Sequence, residues 1–203
     1  MRDVSRDARR VPTEGPGFHR GFLQVGRLCL DFAHTGAREG RRGAWEYLEG
    51  PGDLARWLGA SSLGLELAVR QEDFERAVDL REAVWHAVDA TLAERPVPAG
   101  DLQVVNLRAG DPPLVPHVDP ASGLQVWHEP NAAQALSVVA RDAVELFGDP
   151  WQRGRLRECA SADCTITFYD DSRPGNRRWC FPERCGDRNR ARAYRSRRRP
   201  TGG

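Results

Sequence analysis

Four of the chain's five cysteines fall within 27 residues near the C-terminus, spaced Cys159-x4-Cys164-x15-Cys180-x4-Cys185. Two thiolate pairs separated by a hairpin-sized interval suit one Zn2+, which takes four sulfurs tetrahedrally. Each short loop folds its two sulfurs onto the ion. Four protein ligands leave no open coordination position, so the ion is expected to be structural, since a catalytic zinc keeps a site for water. Thiols clustered in a reducing compartment favour metal over a crosslink. The expected cofactor is therefore one structural Zn2+.

Arginine surrounds these cysteines, and the chain has no lysine. Residues 1–152 carry 16 arginines against 23 acidic residues, net −7, whereas residues 153–199 carry 14 against 6, net +8. A near-neutral total of +1 thus hides a polarised molecule, and the basic end implies a negatively charged partner. Seven arginines lie between Asp187 and Arg199 with no helix breaker before Pro200. At ~100° per residue, Arg188, Arg192, Arg195 and Arg199 share one stripe of a helix, and their forks match phosphate geometry. Arg177 and Arg178 precede the third ligand and can offset the net −2 of a four-thiolate zinc centre or reach a phosphate. The expected nucleic-acid contacts are Arg177, Arg178, Arg188, Arg192, Arg195 and Arg199, with duplex DNA as the first expectation. Structured RNA or an acidic protein surface is the alternative.

Those residues need elements to hold them. "TITFYD" (165–170) is β-branched and aromatic and reads as a strand, "SRPGN" as a turn, and "RRWC" as the returning strand. A helix then begins after Cys185 with Asp187 as N-cap, and Ala191 and Tyr194 are placed to pack on the hairpin near Trp179. Knuckle, hairpin and helix in this order form a treble-clef-like zinc finger with four cysteine ligands. A unit this small folds on its metal.

Upstream the pattern is mainly α with one β-hairpin, an α+β domain. Recurrence of Phe74, Ala77, Val78, Arg81, Val84, Trp85, Val88 and Leu92 at helical spacing predicts a long helix over 71–95, ended by Pro96. Shorter helices are expected from Asp53 to Gly59 and over 99–107. Another starts from an Asn131 cap with Leu136, Val139, Ala140, Ala143 and Phe147 inward and Gly148 at its end. Strands near 114–118 and 124–128 flank a turn at 119–123. The segment 22–35 fits strand or helix equally well. These elements divide the chain into a polar, Gly- and Pro-containing tail (1–19), a mostly helical domain (20–150) and the finger (151–203), with the helical domain folding on its own core.

No catalytic constellation is present in this upstream region. Asp31 and His34 are spaced for acid–base work but read as a capping Asp and a turn His, His86 as structural, and Cys29 as a small buried hydrophobe. Gly36, Gly40 and Gly43 lack the strand–helix context of a phosphate loop. An enzyme is therefore not expected. No apolar run reaches the ~18 residues of a membrane span, and the N-terminus has no signal-peptide core. The expected location is the cytoplasm.

"RLRECASADCTITFYDDSRPGNRRWCFPERCGDRNRARAYRSRRR" (155–199) resembles the CGNR zinc finger, and "LCLDFAHT" with the helix–hairpin–helix region resembles the ABATE domain that precedes it in bacterial proteins. The resemblance implies a stress-linked transcription regulator that binds DNA through the finger, with a sensing or interaction role for the helical domain. A small-molecule effector or a homodimer contact at that domain is left open. Asp187 stands where the family motif has Asn. The two cap a helix equally well, but Asp repels a phosphate or base edge to which Asn could donate.

Overall fold

Residues 18–19, 22–36 and 46–198 are described by the structure, a computed structural model. Residues 1–17 of the expected tail, Gly40, Gly43 and Arg199 lie outside them. Phe18–His19 (β1) pairs antiparallel with Phe22–Leu23 (β2), and Leu28–Ala33 forms α1. The ambiguous segment 22–35 is therefore part strand and part helix. Distant side chains decide the matter. The Cys29 N–H donates to Asp142 Oδ2 at 2.8 Å, and the Val25 N–H donates to Asp31 Oδ1 at 2.5 Å. Asp142 thus supplies the acceptor that the first turn of a helix cannot find within itself.

Pro51–Ala60 forms α2. Asp53 is not its cap; Gly50 is, and Asp53 sits in the first turn. From there its Oδ2 accepts from the N–H groups of Glu49 (2.7 Å) and Gly50 (3.1 Å), the backward half of a capping box. Gly59 does not stop the helix. Gln71–Leu92 forms α3, burying Ala77, Leu80, Arg81, Val84, Trp85 and Val88. It ends before Pro96 is reached. Glu94 adopts φ +53°, its N–H donates to Thr91 O, and the Arg95 N–H donates to Ala90 O at 2.8 Å. That bond pair is a Schellman closure, here built on a residue other than glycine.

Ala99–Ala109 (α4), Pro116–Val118 (β3), Gln125–Trp127 (β4) and Ala132–Gly148 (α5) follow. The hairpin is shorter than the sequence suggests, with His117 opposite Val126. Asn131 caps α5 as expected, and Gln134 completes the box: each side chain accepts the other's N–H at 3.0 Å. Helices α1, α3, α4 and α5 pack about Phe32, Trp57, Leu80, Val84, Leu136 and Leu146. His86 Nδ1 meets Asp101 Oδ1 at 2.9 Å, a tie between α3 and α4 that gives this histidine the structural role expected of it.

Pro150–Arg153 (α6), Leu156–Glu158 (β5), Thr167–Tyr169 (β6), a π-helical turn at Pro182–Gly186 and Asp187–Arg198 (α7) complete the chain. Hairpin and helix are both present in the finger, with two corrections. The partner of β6 is β5, upstream of the first ligand cysteine, with Leu156 opposite Tyr169 and Glu158 opposite Thr167. Residues 177–180 form no ladder. The helix also begins earlier than expected, because the π turn runs directly into α7. Asp187 is already helical (φ −62°, ψ −42°) rather than an N-cap.

The core does not stop at residue 150. Leu156, Ile166, Phe168 and Tyr169 join the same buried cluster as the helices. Along this seam the Tyr169 N–H donates to Val25 O at 2.9 Å, and His34 Nε2 lies 2.7 Å from Thr167 O. A carbonyl only accepts, so Nε2 carries the proton. His34 is 2 % exposed and stands edge-on to Trp85 at 4.9 Å, which makes it an anchor for β6. Gly26 is required at the same seam. Its φ is +100°, and a Cβ there would lie 3.2 Å from Tyr169 O.

Candidate metal centre and nucleic-acid interface

The tip of the β5–β6 hairpin carries the first two cysteines. Cys159 closes β5 by donating its N–H to Ile166 O (3.0 Å), and the Cys164 N–H returns to Ser161 O (2.9 Å) in a tight turn. Cys180 ends an extended segment laid beside this tip by the Ala160 N–H to Arg178 O bond at 2.8 Å. Cys185 lies inside the π turn, its N–H on Phe181 O at 2.8 Å. Two short backbone knuckles therefore face each other.

Their four Sγ atoms all lie within 4.8 Å of one another. Cys180 Sγ is 3.7 Å from both Cys164 Sγ and Cys185 Sγ. A tetrahedron with Zn–S bonds of ~2.3 Å has S–S edges of ~3.8 Å, so the cage already has the metal's dimensions. A disulfide requires ~2.05 Å, and all five cysteines are free thiols. The donor set and its size fit one structural Zn2+ held by Cys159, Cys164, Cys180 and Cys185.

Proton chemistry points the same way. Hydrogen bonds from the Cys164 and Cys180 thiols hold the Cys159 thiol far below its ordinary range. Donating to Cys159 pushes Cys164 up, and Cys180 is raised for the same reason, with burial adding to both. Zinc takes its cysteine ligands as thiolates, so loading the site is accompanied by proton release.

The turn behind the cage is organised by Asp170, which is fully buried. Its Oδ1 accepts from the Ser172 N–H (3.0 Å) and hydroxyl (2.5 Å), and its Oδ2 from the Arg177 N–H (2.8 Å). Burial alone would raise this carboxyl; the Ser172 and Arg177 bonds outweigh it and hold the pKa low. Arg155 donates to Asp170 O and Ser172 O, and Arg157 to Gly154 O, Leu156 O and Gly175 O. At Gly186 a Cβ would stand 3.2 Å from the Trp179 ring, so a larger residue there would push against that indole.

Of the six arginines the sequence puts forward, Arg177 is engaged internally. It lies 4.5 Å over the Phe168 ring, pairs with Asp171 at 2.8 Å and donates to Tyr169 O. Arg178 is exposed and lies 5.2 Å over Trp179. On α7, Arg192 pairs with Asp163, and Arg190 with Asp187. Arg188 and Arg195 are exposed and form no ion pair among the described residues, and the same holds for Arg197. Arg199 lies outside those residues. Ala191 and Tyr194, expected to pack on the hairpin, are both exposed. What holds the helix instead is polar, and the sequence reading missed it. Asn189 Nδ2 donates to Ser161 Oγ (2.9 Å) and to Cys185 O (2.7 Å). The available signal was the spacing, since an Asn four residues after the last ligand faces back toward it on a helix.

No helix among the described residues is long and apolar enough to cross a membrane. Two family models match the chain in tandem. One, ABATE, is described as "Putative stress-induced transcription regulator" and covers residues 26–150; the other is the CGNR zinc finger, covering residues 155–198. No curated protein matches the chain. The tandem match agrees with a four-cysteine cage set directly behind a helical domain. With the first model spanning more than half of its 203 residues, the chain belongs to the ABATE family and carries a CGNR zinc finger at its C-terminal end.

Proposed function

We propose that the protein regulates transcription by binding duplex DNA through the arginine face of α7. The helical domain serves as its sensing or interaction module. The observation that carries this reading is the state of α7. Arg188, Arg195 and Arg197 are exposed without an internal ion pair among the described residues, on a helix rooted in the metal cage. Seven arginines between 187 and 199 repel one another, and a polyanion relieves that repulsion. Arg178, exposed over Trp179 just before Cys180, adds a further cation to the module. For the helical domain, an interaction role is supported by apolar side chains exposed around the β3–β4 hairpin. Val118 is 71 % exposed and Leu124 67 %.

Titrating zinc-loaded protein onto duplex DNA across a salt series tests the reading. Each phosphate neutralised contributes ~0.9 to the slope of log affinity against log salt. Arg188→Ala with Arg195→Ala is expected to shallow that slope by about two, with zinc content and melting temperature unchanged. Equal affinity of the double variant and the parent would overturn it. A preference for stem-loop RNA over every duplex would move the protein to the alternative class.

A further inference from the structure

Two side chains three residues apart on α7, Asn189 and Arg192, reach into one loop, the four residues between Cys159 and Cys164. Asn189 holds Ser161, whose side chain is buried at 2 % exposure, and Arg192 pairs with Asp163. Asn189 also returns to the carbonyl of Cys185. The loop they grip is itself fixed by the Cys164 N–H to Ser161 O bond. One face of the helix is therefore tied to the first knuckle at two successive points. Arg188, Ala191, Tyr194 and Arg195, at relative positions 0, 3, 6 and 7, form a contiguous and exposed face that adjoins the clamp, with Arg192 at its edge beside Arg188.

We propose that Asn189 and Arg192 are positioning residues. Together they clamp α7 to the knuckle loop and turn the face of Arg188, Ala191, Tyr194 and Arg195 toward the nucleic acid. Arg192 belongs to the clamp even though it falls in the same sequence stripe as Arg188 and Arg195. The orientation of that face rests on the DNA reading above; the clamp itself does not. An asparagine is suited to this task because its amide donates to a hydroxyl and a carbonyl together, which a carboxylate cannot do. The amide tie is supplied from position 189. Asp187 faces away from it and pairs with Arg190.

The test uses full-length, zinc-loaded protein with two independent readouts: amide hydrogen exchange along α7 without nucleic acid, and duplex affinity over a salt series. Asn189→Ala, Arg192→Ala and Asp163→Asn should each speed exchange in α7 by about fivefold, the size of one lost hydrogen bond or ion pair, with zinc retained. The charge swap Asp163→Arg with Arg192→Asp should restore parental exchange, and duplex affinity to within about twofold, with the salt slope unchanged. Arg195→Ala should leave exchange alone and shallow the slope by ~0.9. Unchanged α7 exchange in Asn189→Ala and Asp163→Asn overturns the clamp. A slope shallowed by ~0.9 in Arg192→Ala that the swap fails to restore makes Arg192 a phosphate contact and overturns its assignment. If the parent protein binds no duplex at low salt, the DNA reading fails with it, and the exchange data still decide the clamp.

Discussion

The two halves of the C-terminal module could hardly be held more differently. Its hairpin is part of the main core: Phe168 and Thr167 are fully buried, Tyr169 bonds to Val25, and His34 reaches across to Thr167. Its helix touches the rest of the chain through the π turn, Asn189 and Arg192, and from Arg190 to Arg197 every residue is exposed. Two of the four cysteines sit on the hairpin and two lie at the approach to the helix, so the metal joins a fixed half to a free half. Burial supplies stability to the hairpin half, and the helix half keeps its arginines exposed.

Breaking the fixed half should have the largest effect. Phe168→Ala empties a fully buried site and is expected to cost ~3–5 kcal/mol. That loss should lower the melting of the helical domain along with the finger, because the two share a core. Arg195→Ala, on the free half, should stay within ~0.5 kcal/mol of the parent. Thermal unfolding followed at 222 nm separates the two, and a Phe168→Ala protein whose helical domain melts normally would mean the seam is not a shared core.

The same seam predicts a pH dependence. Burial raises the Asp31 carboxyl from 3.8 to about 7, the Val25 N–H opposing and the Asp142 charge adding to the rise. The folded state thus holds a proton that the unfolded chain releases near pH 4. This contribution to stability is complete below about pH 4 and is lost as pH rises through about 7, at up to ~1.4 kcal/mol per pH unit. Asp31→Asn keeps an acceptor for Val25 and should flatten this decline, leaving the variant more stable than the parent at pH 8. Denaturant midpoints at pH 5 and pH 8 check it; a variant with the parental pH profile would remove Asp31 from the account.

A smaller gain is expected from relieving the left-handed residue that closes α3. Glu94→Gly should add ~1 kcal/mol at φ +53°, visible as a higher denaturant midpoint. A lower midpoint would show that the Glu94 side chain contributes more than its backbone costs.

These contrasts also mark where the sequence was readable. The cage was legible because four thiols at paired spacing constrain one another, and α3 because its apolar residues recur at helical intervals. Asn131 announced α5 through a local cap. The strand partner of β6 was not legible, since "RLRE" and "RRWC" are both short and polar, and the choice is made by docking on Val25 and His34, over 130 residues away. Helix α1 likewise depends on Asp142, contributed by another helix. The orientation of α7 was hidden for a different reason. A helix of arginines has no apolar periodicity, so nothing in the pattern separates Arg192, which meets Asp163, from Arg195, which meets no acid among the described residues.

Hydrogen exchange on the full chain, zinc-loaded and then stripped by a chelator, tests the central claim that the metal joins a fixed hairpin to a free helix. Protection should be lost across 182–198 on stripping while Cys159, 166–169 and α1 keep most of theirs, and one zinc per chain should be released. Uniform loss through the helical domain, or an α7 that stays protected without metal, would contradict the account.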